Sequence, residues 1–159
     1  MGNTVKGILA AILFLLNSQI SLAQFYSTGS DPARLKWSEI KTERYYIIYP
    51  AEADSLARRY AILLERSADA VNSPLRAKPR KLPVVLHPYN VYSNGLVSWA
   101  PRRMELYTLP PSFGSYSMNW EKQLVLHEGR HVAQMTMFER GIFKPLSWLI
   151  GEQAVGIGA

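Results

Sequence analysis

The chain contains no cysteine. That excludes disulfides, thiolate metal sites and a cysteine nucleophile, and it fits any compartment. Histidine is nearly as scarce, with only His87, His127 and His131, so imidazole chemistry is confined to those positions. Acidic residues are outnumbered 12 to 18, giving a formal net charge of +6. The basic residues are nevertheless dispersed, at Arg58-Arg59, between Arg76 and Lys81, and at Arg102-Arg103. An aromatic-interleaved basic stripe, as a nucleic-acid interface needs, is lacking, so no nucleic-acid partner is expected. The charge is compatible with attraction to anionic cell-envelope surfaces. Internal repeats and low-complexity tracts are also lacking. The length of 159 residues suits about one domain, and the 48% apolar content suffices for a core.

One long apolar run exists, at the N-terminus. Lys6 precedes Gly7 to Leu16, Asn17-Ser18-Gln19 interrupts the run, and Ser21-Leu22-Ala23 places small residues at −3 and −1. This pattern predicts a cleavable signal peptide over residues 1–23, cut between Ala23 and Gln24. The run falls short of the roughly 20 residues of a membrane span. With no cysteine after the cut, a lipoprotein is not expected. The mature protein is expected to be exported to the periplasm, cell envelope or medium, with residues 24–34 mobile and one domain over 35–159. The last stretch, Gly151 to Ala159, is small and apolar except for Glu152. It reads as an interrupted segment and predicts a domain continuing past Ala159.

Trp37 to Tyr49 reads as a strand, densest in aromatic and β-branched residues over Tyr45 to Tyr49 and stopped by Pro50. Leu56, Tyr60, Leu63, Leu64 and Ala68 recur at helical spacing within Ala51 to Val71, and Asn72-Ser73-Pro74 ends that helix. Leu82 to Leu86 reads as a buried strand. Asn94-Gly95 signals a turn, and Leu96 to Trp99 and Met104 to Leu109 are strand candidates around Pro101. Ser117 or Asn119 caps a helix running to about Arg140, with Gly141 just past its end. Pro145 opens a further helical segment, Leu146 to Ile157. The order strand, helix, strands, helix, helix predicts an α+β layout. Trp99, Trp120 and Trp148 are expected to be packing groups.

The helix ending near Arg140 carries His127-Glu128-Gly129-Arg130-His131, an HExxH pentapeptide. Residues four apart share one helix face, so both imidazoles can reach a single metal ion. Glu128 lies about 100° further round. A zinc-dependent peptidase uses this arrangement: zinc acidifies a water, and the glutamate takes its proton as it attacks a carbonyl and passes it to the leaving amine. The pattern therefore predicts His127 and His131 as zinc ligands and Glu128 as general base.

Catalytic zinc takes three protein ligands and keeps a fourth position open. Gln134 and Met137 occupy the places where a metzincin has Gly and His, which excludes that class. His87, at a strand end before Pro88, reads as an ordinary turn residue and not as a ligand. Glu139 is eight residues past His131 on the same helix, roughly 12 Å along the axis, too far to share the ion. Glu152 lies on the next segment with twenty residues between it and His131. An isolated glutamate among apolar residues wants a partner, so Glu152 is a candidate third ligand, a residue that orients a histidine, or a partner of Arg130. A glutamate beyond Ala159 is the alternative.

Leu126 to Gln134, the strand Tyr45 to Pro50, and Gly151-Glu152-Gln153-Ala154-Val155-Gly156 together resemble exported bacterial peptidase-MA-like domains of the gluzincin type. The resemblance runs from about Leu35 to the end. It implies a zincin-like fold, a small mixed sheet packed on the HExxH helix, with Zn2+ as cofactor and a peptide or protein as substrate. It also implies that a later Trp-Phe-x-Glu-Gly-Asp-like segment supplies the third ligand and that a β-propeller follows. By the same analogy an edge strand above the active-site helix pairs with extended substrate, and Asn94, Gly95, Leu96 and Val97 are the candidates. Two other readings stay open: a catalytically inactive envelope binding or scaffold module with a vestigial metal site, and a zinc hydrolase acting on another ester or amide.

Overall fold

The computed structural model describes residues 31–112 and 117–140, with Gly7, Lys144, Pro145, Trp148 and Gly151. Apart from Gly7, these lie in one compact unit, Asp31–Ala159. The expected signal peptide, Glu152 and most of the expected helix over 146–157 fall outside the described residues. Among the described residues no helix is long and apolar enough to cross a membrane.

The strands are β1 (Trp37–Lys41), β2 (Tyr45–Pro50), β3 (Leu82–His87), β4 (Ser93–Trp99) and β5 (Arg102–Thr108). They form one mixed sheet in the order β1-β2-β3-β5-β4. The inner strands β2, β3 and β5 run parallel, while β1 and β4 pair antiparallel at the two edges. Two long helices join in, α1 (Asp54–Asn72) between β2 and β3, and α2 (Trp120–Phe138) after β5. The fold is thus α+β. A parallel pair needs a crossover connection, and α1 supplies it.

Alternation along the strands separates the two faces of the sheet. Tyr45, Ile47 and Tyr49 of β2, Leu82, Val84 and Leu86 of β3, and Met104 and Leu106 of β5 are all buried. They cluster with Ala57, Tyr60, Ala61 and Leu64 of α1 and Leu124, Val125 and Val132 of α2. Both helices therefore cover the same face. The residues between, such as Tyr46, Ile48, Pro83 and Val85, point the other way and are half-buried.

Three expectations change. The segment from Trp37 to Tyr49 is two strands, because Thr42 closes a tight reversal by hydrogen-bonding with Tyr45 through both its amide and its hydroxyl. Asn94-Gly95 is not a turn. Both residues sit inside β4, opposite Tyr107 and Leu106, and the reversal falls at the cis Ala100–Pro101 bond. His87 stands at the expected strand end, as the last residue of β3, and is 8% exposed. Of the tryptophans, Trp99 is buried and Trp120 packs on the core as expected, whereas Trp148 is 88% exposed.

Candidate metal centre

α2 starts where Asn119 accepts a hydrogen bond from the Glu121 amide at 2.8 Å, so Asn119 and not Ser117 is the cap. The helix buries two adjacent rows, Leu124-Glu128-Val132-Thr136 and Val125-Gly129-Ala133. These are the i, i+4 rows of a stripe facing the core. His127 and His131 lie on the neighbouring row and are exposed. The pentapeptide therefore straddles the boundary of the stripe, with its histidines outside and its glutamate inside. Gly129 lets α2 lie close to α1, since a Cβ there would come within 3.2 Å of a Val71 methyl.

The two imidazoles face each other through their Nε2 atoms, 3.2 Å apart, with ring planes at 86°. Zinc–nitrogen bonds of about 2.0–2.1 Å would subtend roughly 100–105° at an ion equidistant from both, close to tetrahedral. The separation of the pair is thus compatible with two ligands of one zinc ion. The Nδ1–H of His131 donates to Gln134 Oε1 at 3.2 Å, which leaves its Nε2 lone pair aimed at the shared position. In the sequence Gln134 stands out only as a departure from another zinc class. Its position three residues past His131 was the available signal.

Glu128 is 4% exposed, and its carboxylate lies against the backbone of β4 at Gly95. Burial raises its pKa above the ordinary carboxylate value, opposed by the charges of His127 and His131. A carboxylate moved toward neutrality is better matched to taking and returning a proton. Asn94, Gly95, Leu96 and Val97 all belong to β4, an edge of the sheet whose only described strand neighbour is β5. The fold therefore brings together His127, Glu128, His131 and the edge strand at Gly95. Glu139 is elsewhere, paired to Arg80 at 2.9 Å.

Among the described residues no group of three or more histidine, aspartate or glutamate side chains is arranged to hold a metal. His127 and His131 are two candidate ligands, and Glu152 lies outside the described residues.

A second polar cluster sits on the opposite face of the sheet. His87 Nδ1 is 2.5 Å from Asp31 and its Nε2 is 3.5 Å from Glu105, which in turn pairs with Arg103 at 2.5 Å. Burial pulls the His87 pKa down, but Glu105 and Asp31 outweigh it and the net shift is upward. Glu105 is lowered to about 2, first by His87 and then by Arg103, against the opposing effect of burial. The contact at 3.5 Å is an ion-pair distance, longer than a well-formed hydrogen bond. Both His87 nitrogens face carboxylates on opposite sides of the ring, which suits an imidazolium rather than a metal ligand. This cluster went unread because its members come from three separate chain segments. Compared with known proteins, the chain matches no family model, no curated protein and no solved structure.

Proposed function

We propose that this chain is an exported zinc-dependent metallopeptidase domain of the gluzincin type, with zincin-like packing of the sheet on α2. The observation that carries the reading is the pair of Nε2 atoms 3.2 Å apart with Glu128 beside them under the edge strand. His127 and His131 would hold the zinc, and Glu152 or a glutamate beyond Ala159 would complete the ligand set. When bound, zinc supplies acidification of a water and polarisation of the scissile carbonyl.

The residues of the chain do the rest. Glu128 accepts the proton of the attacking water on its carboxylate and delivers it to the leaving nitrogen. Gln134 keeps His131 in the tautomer that binds metal. The edge of β4, which no described strand pairs, offers the backbone groups of Asn94 to Val97 to an extended peptide, which would add as a further strand. Its position over Glu128 would bring the scissile bond to the base.

The test is Glu128→Gln in the purified protein. Hydrolysis of a peptide library should fall by at least about a hundredfold, the loss general-base removal causes, with zinc content by metal analysis unchanged. Equal hydrolysis by wild type and variant overturns the mechanism. The rival reading is an envelope binding module with a vestigial metal site. Bound zinc with no turnover on any peptide would establish it.

A further inference from the structure

Glycine is a poor choice in the middle of a strand, because it weakens the strand and packs nothing. Gly95 occupies the third position of the seven-residue β4 and pairs with Leu106. Its backbone does not demand glycine either, since among the described glycines only Gly151 has a positive φ. Further along the same side of β4, Trp99 is in the core and Val97 packs against it. Something other than conformation keeps position 95 bare.

The space there is already taken. A Cβ built on Gly95 would fall 2.4 Å from Cγ, Cδ and Oε1 of Glu128. Carbon atoms in contact sit about 3.5–4.0 Å apart, so a methyl group and the carboxylate cannot share this volume. Relief would have to come from the free end of the Glu128 side chain, because the backbone of β4 is locked in its pairing with β5.

We propose that Gly95 is a positioning residue for Glu128. Its bare backbone is the stop against which the carboxylate rests, and it sets the gap between edge strand and base. The consequence for catalysis rests on the metallopeptidase reading above; the placement of Glu128 does not. A side chain at position 95 pushes the carboxylate out of hydrogen-bond reach of the water it must deprotonate. Misplacement by about 1 Å can cost a hundredfold in rate, while binding of the peptide by the β4 backbone is untouched.

Two comparisons test this. In the first, Gly95→Ala is assayed for peptide hydrolysis alone and in the Glu128→Gln background. In the wild-type background kcat should fall at least about tenfold, with KM within about twofold and zinc content unchanged. In the Glu128→Gln background Gly95→Ala should cause no further loss, because the group it displaces no longer acts. In the second, thermal unfolding is measured for wild type, G95A, E128A and the double variant. G95A should lower Tm by about 2–4 °C in the wild-type background. It should leave Tm unchanged or raised in the E128A background, where the colliding atoms are gone and alanine restricts the unfolded chain.

Wild-type kcat in G95A, a further loss of the same size beside Glu128→Gln, or equal changes of Tm in both backgrounds each overturn the proposal. A wild-type protein that binds zinc and hydrolyses no peptide defeats the metallopeptidase reading instead. The Tm comparison then decides the placement of Glu128 by itself.

Discussion

Gln134 determines which nitrogen of His131 faces His127. A neutral imidazole carries one N–H, and the donation from Nδ1 to Gln134 Oε1 at 3.2 Å leaves Nε2 as the lone-pair atom. His127 has no such partner among the hydrogen bonds of the described residues. Gln134→Ala should therefore weaken zinc binding about tenfold, the lower end of the range for loss of a residue that orients a ligand, since Gln134 is exposed. Competition with a chromophoric chelator measures this, and unaltered affinity would show that the contact is incidental. Glu128 and its histidines could be read from the pentapeptide alone, because their relation is set by helix geometry within five residues. Gln134 lay within the same reach, but a neutral side chain three residues along carries no distinctive signature.

At the level of elements, α2 decides what the pentapeptide does. Its apolar rows place Glu128 toward the sheet and leave the histidines in solvent. The cap at Asn119 fixes where those rows begin. Asn119→Ala removes the acceptor of the Glu121 amide and should cost about 1 kcal/mol of stability. Urea denaturation would show it as a lower midpoint at unchanged slope, and a midpoint equal to wild type would assign the cap elsewhere. The strands were less legible. Asn94-Gly95 carries the local chemistry of a turn, yet the pairing of β4 with β5 and the approach of Glu128 claim both residues for a strand. The split of Trp37 to Tyr49 into β1 and β2 likewise escaped periodicity, because Thr42 reverses the chain without glycine or proline.

The whole molecule divides into a helix-covered face of the sheet and an opposite face that carries a chain of charges. Arg103, Glu105, His87 and Asp31 join β5, β3 and the segment before β1. Asp31 belongs to the stretch expected to be mobile, and His87 holds it. The sign of the pH dependence follows from the two shifts. Glu105 is depressed from 4.5 to about 2, so its contribution is complete above the unfolded value and is lost as pH falls toward about 2. His87 is raised from 6.5, so its contribution is complete below 6.5 and is lost as pH rises through the folded value. Stability from this cluster should thus be greatest between about pH 4.5 and 6.5. His87→Gln should cost on the order of 1–3 kcal/mol in that window, by leaving the half-buried Asp31 without its cation and Glu105 with Arg103 alone. It should also flatten the decline on the alkaline side, as followed by urea unfolding across pH. Parallel profiles for wild type and variant would exclude His87 as the titrating group.

The sequence by itself determined the α+β order, the two long helices, the inner strands and the placing of His127, Glu128 and His131 on one helix. Each depends on spacing within a few residues, where one helical turn or one strand alternation fixes the geometry. Tertiary structure alone decided that Asn94-Gly95 lies inside β4, that position 95 has no room for a side chain, and that His87 lies between Asp31 and Glu105. The last two of these relations join residues between 18 and 56 positions apart in the chain. They arise because β5 inserts between β3 and β4, an arrangement set by how the strands bury their shared apolar face and not by any local pattern of residues.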